Sequence, residues 1–83
     1  MTAQEIEEMI LAFIRDELRV DVTDVELTTE LVSSGRVDST DLVRLAAHLE
    51  RSFDIEIPDE DVTADHLDTI AMTAQYVLAR TGS

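Results

Sequence analysis

Few side chains in this sequence have the type and spacing for covalent chemistry. Ser39 is the foremost of them. Asp38 directly before it is a strong N-cap, so Ser39 is predicted as the first residue of a helix, following a long connection. A hydroxyl there is exposed at the positive end of a helix dipole, which stabilises an attached or incoming phosphate. Such a serine suits attachment of a phosphate-linked group, although on spacing alone Ser and Asp at a helix start read first as caps. Nucleophilic catalysis does not fit. His48 lies nine positions on along the same helix, about 13 Å up its axis, and is expected to be solvated. His66 has no second ligand spaced to join it around a metal. The acidic residues Asp54, Glu56, Asp59, Glu60 and Asp61 lack the glycine and ligand spacing of an EF-hand and read as a solvated rim. No catalytic residue and no metal site are expected.

Composition removes further classes. The chain has 83 residues, enough for one domain (1–83), with an expected radius of gyration of about 12 Å. Nineteen acidic residues face six basic ones, for a net charge of −13. Nucleic-acid binding needs basic groups that displace counterions, and an anionic membrane surface needs the same, so neither partner is expected. Basic protein patches are favoured instead. There is no cysteine, hence no disulfide, thiolate metal site or thiol catalysis. Two Phe, one Tyr and no Trp leave no stacking platform for bases or sugars. No apolar run approaches the roughly 20 residues of a membrane span. Glu5, Glu7 and Glu8 stand where a signal peptide would carry positive charge, so a cytoplasmic monomer is the expectation.

The elements that must position Ser39 are helical. Ile6, Met9 or Ile10, Phe13, Ile14 and Glu17 recur at the spacing of an amphipathic helix, predicted over Thr2 to Arg19 with Thr2 as N-cap. A long connection follows, from Val20 to Val37, in which Val22, Val25, Leu27 and Leu31 are expected to pin the chain across the helices. Loops of this length usually have a functional reason. The second helix starts after Asp38, with Asp41 placed close to a capping box. It buries Leu42, Leu45, Ala46, Leu49 and Phe53 and ends near Ser52. Asp54 to Pro58 form an extended exit, because Pro58 forbids further helix and Ile55 and Ile57 are too few for a sheet. Thr63 to Leu67 make a short helical turn. Asp68 or Thr69 caps a last helix, Ile70 to Arg80, that turns Ile70, Thr73 or Ala74 and Val77 inward, and Gly82 stops it. The predicted class is all-α: a small antiparallel four-helix bundle with three longer helices, one short one and a long first loop.

One spaced string is more specific than any of its parts. Leu31, Gly35, Asp38-Ser39, Leu42, Leu45, Leu49-Glu50, Phe53, Ile55 and Ile57-Pro58-Asp59-Glu60 together resemble the acyl carrier protein family, the freestanding phosphopantetheine-dependent carriers. The resemblance covers most of the chain. It implies 4′-phosphopantetheine, donated by coenzyme A and joined to Ser39 through a phosphodiester, with Asp38 beside it. The arm's thiol would hold acyl or aminoacyl cargo as a thioester. The implied partners are a phosphopantetheinyl transferase and the enzymes that load, transfer and release the cargo. A thiol-free chain agrees with this, because it cannot compete with its own arm for the thioester.

Departures from the family pattern bear on the pathway. Thr40 follows the serine where the family usually has Leu. The family's docking positions on the second helix read Thr40, Val43 and Ala47 for apolar contacts. Asp41 and Glu50 keep negative charge there, while Arg44 and Arg51 replace it. That pattern points away from primary fatty-acid synthesis and toward a specialised polyketide, hybrid peptide or amino-acid transfer pathway. An equal reading makes the two arginines solvated ions, with Asp41 and Arg44 paired three positions apart for about 0.2–0.5 kcal/mol. A second function class needs no modification at all: an acidic helical module that binds a basic protein patch. Intact mass after incubation with a transferase and coenzyme A separates the two.

Overall fold

The computed structural model describes residues 2–81. Helix α1, Ala3–Asp16, starts on a reciprocal cap. The Thr2 hydroxyl accepts from the Glu5 amide at 3.2 Å, and the Glu5 carboxylate accepts from the Thr2 amide at 2.9 Å. Its buried stripe is Ile6, Ile10, Phe13 and Ile14, so Ile10 and not Met9 faces inward. The helix stops three residues before the predicted Arg19. Arg19 adopts a left-handed conformation, φ 58°, and the Val20 amide closes back on the Ile14 carbonyl at 3.1 Å, a helix-ending geometry. That turn exposes Glu17, predicted on the inward stripe, and tucks Leu18 into the core in its place.

The predicted connection, Val20 to Val37, contains no helix, and the early stop of α1 adds residues 17–19 to it. Leu31 and Val37 are buried, and Val22 and Val25 are half-buried. Leu27 departs from expectation. Its side chain is 46% exposed, and its carbonyl does the anchoring by accepting from the Ala71 amide at 3.0 Å. Gly35 takes φ +85°, a conformation most other residues avoid.

Helix α2 runs Ser39–Phe53. Asp38 caps it by accepting from the Asp41 amide at 2.8 Å, and Leu42, Leu45, Ala46 and Leu49 are buried as the periodicity requires. Phe53 is half-buried. Asp54, predicted as extended, is instead a left-handed cap at φ 54° and ψ 52° whose amide returns to the Glu50 carbonyl. A turn of 3-10 helix that the sequence does not announce, Asp59–Asp61, follows Pro58. Helix α3, Ala64–Leu67, is one turn, with Thr63 just outside it. Helix α4, Ile70–Arg80, has the predicted bounds and buries Ile70, Thr73, Ala74 and Val77. Its cap is Thr69, whose hydroxyl accepts from the Met72 amide at 3.0 Å. The predicted stop at Gly82 lies outside the described residues.

Helix α4 packs on both α1 and α3. Helix α2 runs antiparallel to α1: Arg44 reaches the Glu17 carbonyl and His48, one turn later, meets Phe13. One core gathers Ile6, Ile10 and Ile14 with Leu49, Leu67, Ile70 and Val77. The radius of gyration is 11.4 Å, close to expectation. No strand occurs among the described residues, so this is an all-helical bundle of three longer helices and one short one.

Candidate functional site

Ser39 is the first residue of α2 and is exposed. Asp38 directly precedes it. Its carboxylate holds the Asp41 amide and its carbonyl takes the Leu42 amide at 2.9 Å, which makes it a cap. The amides of Ser39 and Thr40 make no protein hydrogen bond among the described residues, so they remain available to a negative group on the serine. Ser39 heads an open cleft of about 240 Å³. Val43, Ala46, Ala47, Ile57 and Val62 give it apolar walls, and Glu50 and Asp59 supply acidic ones. Pockets that enclose a drug-sized ligand measure roughly 300–1,000 Å³. The cleft is smaller than such pockets and open to solvent.

The other residues singled out on α2 fall on two flanks. Val43, 60% exposed, and Ala47 lie beside Ser39 in the cleft. Glu50 stands there too, but its carboxylate accepts from the Ile57 amide at 3.0 Å and so ties down the chain that forms the opposite wall. Thr40 is exposed. Arg44 pairs with Asp41 at 3.6 Å and also donates to the Glu17 carbonyl at 3.4 Å, next to the end of α1. Arg51 borders a second groove, between α1 and α2, with Met9, Phe13, Asp16, Glu17 and His48. The single outward face expected from helical spacing is thus divided: an apolar flank holds the serine, and a cationic flank borders α1.

His48 corrects the expectation of a solvated residue. Its ring stacks on Phe13, with centroids 4.2 Å apart and planes 19° from parallel. Burial there, reinforced by the nearby Arg51, lowers its pKa below the usual histidine value. Ser39 and His48 lie on opposite flanks of α2, so the triad is excluded by direction as well as distance. His66 also has a partner, since its Nε2 sits 3.5 Å from Asp61.

The acidic rim is a second correction. Asp54, Glu56, Asp59 and Glu60 are exposed, but Asp61 is half-buried and accepts from the Tyr76 hydroxyl at 2.6 Å and from Arg80 at 2.8 Å. Burial and the bond to Asp61 push the Tyr76 phenol up to about 12. This cluster fastens the 3-10 turn to α4. No group of side chains that could hold a metal occurs among the described residues. Sequence reasoning also missed Asp68, read as an alternative cap for α4. Its carboxylate accepts from the Val32 and Ser33 amides, each at 2.9 Å, and from the Ser33 hydroxyl at 2.6 Å. The sequence does hold a weak signal, because Asp68-Thr69 offers two caps for one helix.

Comparison with known proteins bears on an exposed serine at a helix start above a shallow apolar cleft. Residues 8–77 match the family described as "Phosphopantetheine attachment site". The "Acyl carrier protein" of Clostridium acetobutylicum is 32% identical over 74 residues, covering 89% of this chain and 94% of the relative. This chain belongs to the acyl carrier protein family. The "Acyl carrier protein" of Amoebophilus asiaticus is 34% identical over 76 residues, 92% of each chain. As an acyl carrier protein, the chain carries covalent 4′-phosphopantetheine and is a carrier, not an enzyme. Its partners are phosphopantetheinyl transferase and acyl-handling enzymes. The residues fit such an arm: a reachable hydroxyl, two first-turn amides available to a phosphate, and an apolar channel leading away. Among the described residues no helix is long and apolar enough to cross a membrane.

Proposed function

We propose that Ser39 is the serine that bears the arm, that residues 1–83 form one domain, and that the carrier serves a specialised biosynthetic pathway. The observation that carries the attachment reading is the place of Ser39: exposed, first in α2, after a cap that leaves its own amide and that of Thr40 available. In the modification the bond from Ser39 Oγ to phosphorus forms as the pyrophosphate bond of coenzyme A breaks. The nucleotide half leaves, and the serine proton passes to a base of the transferase. Once attached, the arm supplies a thiol that holds acyl or aminoacyl cargo as a thioester. The protein's own part is to present the hydroxyl and to stabilise the phosphodiester's negative charge at the helix start. Repeated weak docking at high effective concentration then lets one carrier serve several enzymes.

The experiment is intact mass after incubation with a phosphopantetheinyl transferase and coenzyme A. Wild type, Ser33→Ala and Ser34→Ala should gain the arm, and Ser39→Ala should not. An arm on Ser39→Ala would overturn the assignment.

The pathway reading rests on α2. Partner enzymes would meet Thr40, Val43 and Ala47 as apolar contacts and Asp41 and Glu50 as acids. Arg44 and Arg51 present positive charge on the α1-facing flank. An enzyme docking across both flanks needs acidic or neutral groups opposite the arginines. Its basic groups would meet Asp41, already paired with Arg44, and Glu50, already holding the Ile57 amide. Polyketide, hybrid peptide or amino-acid transfer enzymes are the classes this reading favours.

A further inference from the structure

We propose that Asp68 is a positioning residue for the modification of Ser39, holding the loop before α2 so that Asp38 and Ser39 are presented in one place; this rests on the attachment reading above. Asp68 is only 7% exposed. An aspartate this buried is rare unless its charge is compensated. Here the compensation comes from neutral donors on one segment 35 and 36 positions earlier: the Val32 and Ser33 amides and the Ser33 hydroxyl. Burial works to raise the Asp68 pKa, but these hydrogen bonds outweigh it and hold the carboxyl below the usual aspartate value, so it is charged at neutral pH. The Asp68 carbonyl adds a fourth bond by accepting from the Leu31 amide at 2.8 Å.

Leu31 passes the anchor on. Its amide is held by Asp68, and its carbonyl accepts from the Val37 amide at 2.9 Å. Val37 is buried, and the next two residues are Asp38 and Ser39. A main-chain hydrogen-bonded path therefore runs from the start of α4 through the single residue Leu31 to the start of α2, and the Asp68 carboxylate braces it by holding the next two residues, Val32 and Ser33. The 22 residues between α1 and α2 form no helix or strand, and their other ties are single contacts such as the Leu27 carbonyl on the Ala71 amide, the Arg36–Asp24 pair, and the buried Leu18, Leu31 and Val37. Segments with few buried contacts open at low free-energy cost. A group transfer to an oriented hydroxyl is sensitive to such motion, because a misplacement of about 1 Å can cost about a hundredfold in rate. Asp68 touches neither Ser39 nor the cleft, so its influence is through the loop alone.

The test compares phosphopantetheinylation kinetics of the full chain, read by intact mass at a temperature where every variant is folded, with melting temperature and amide exchange measured alongside. Asp68→Ala should lower kcat/KM by about tenfold, the scale of one hydrogen bond to a charged group, and should speed exchange at the Val32, Ser33 and Val37 amides. Asp68→Asn keeps an acceptor for the two backbone amides and should recover most of that loss. Thr69→Ala removes the neighbouring cap of α4, so it should lower the melting temperature while leaving kcat/KM unchanged. If Asp68→Ala does not fold, Ser33→Ala serves, with a smaller loss expected, about threefold, because the Val32 and Ser33 amides keep the carboxylate. An Asp68→Ala or Ser33→Ala protein modified at the wild-type kcat/KM overturns the positioning role alone. So does a Thr69→Ala protein slowed as much as Asp68→Ala, since a general loss of stability would then account for both. A wild type that takes no arm, or a Ser39→Ala protein that takes one, overturns the attachment reading beneath it.

Discussion

The two long flanks of α2 share a helix and a core but differ in what they offer. On one flank Ser39, Val43 and Ala47 form a shallow channel, and Glu50 holds the far wall through the Ile57 amide. On the other, Arg44 reaches the end of α1 and His48 stacks on Phe13. The first flank is open and can receive a flexible chain. The second is partly closed by α1 and carries fixed charge. On the proposed roles of Ser39 and the two arginines, attachment and partner selection would occupy different flanks of one amphipathic helix. Leu42, Leu45, Ala46 and Leu49, the buried side of the same helix, hold both in place.

The largest effect is expected where both flanks depend on one contact. Leu49 is fully buried, and Leu49→Ala should cost about 2–5 kcal/mol, transfer loss plus cavity. That is a large part of the stability of a domain this size. A thermal or urea melt checks it, and an unchanged midpoint would mean that the inward face is misassigned.

Removing Glu50 should break one flank only. Glu50→Ala leaves the Ile57 amide without its acceptor and should cost about 1–3 kcal/mol. In NMR spectra the methyl signals of Val43 and Val62, beside the cleft, should move, and the His48 ring signals should not. Equal shifts on both sides would show that the flanks are mechanically one.

Reversing charge on the other flank should affect encounter more than folding. Arg44→Glu with Arg51→Glu should slow transfer by the native loading enzyme several-fold at low salt, with the difference fading as salt is added. The arm should still attach, and the helical circular dichroism should persist. Identical rate-against-salt curves for mutant and wild type would make the arginines ordinary solvated charge.

The smallest effect concerns pH. The His48 pKa is lowered in the folded state, so the folded protein takes up its proton less readily than the unfolded chain. Stability from this residue is complete above the unfolded value of about 6.5 and is lost as pH falls through the lower folded value. Replacing it, His48→Gln, should flatten that part of the stability-against-pH curve. A steeper fall in the variant would put the stacked ring on the wrong side of the balance.

How much of this was legible in the chain depended on how far each residue's partner lies along it. The caps Thr2, Asp38 and Thr69 bond amides three positions away, and the buried faces of α1, α2 and α4 repeat every three or four residues. Those are local rules, so the helices, the exposed serine and its capping aspartate could be read directly. The ends of α1 and α2 were less legible. They rely on Arg19 and Asp54 adopting left-handed conformations that non-glycine residues take only when the surrounding structure imposes them.

Side chains whose partners lie far along the chain were read by type and misplaced. Asp68 looked like a cap but holds Val32 and Ser33; Asp61 looked like solvated rim but holds Tyr76 and Arg80; His48 looked solvated but stacks on Phe13. Sequence by itself determined the helical class, the buried faces and the place of Ser39, because backbone capping and periodic burial are settled within a turn or two of the chain. Only the tertiary structure decided how the long loop is anchored and how the surface of α2 divides. Those arrangements depend on which distant segments the core brings together, and no local spacing encodes that.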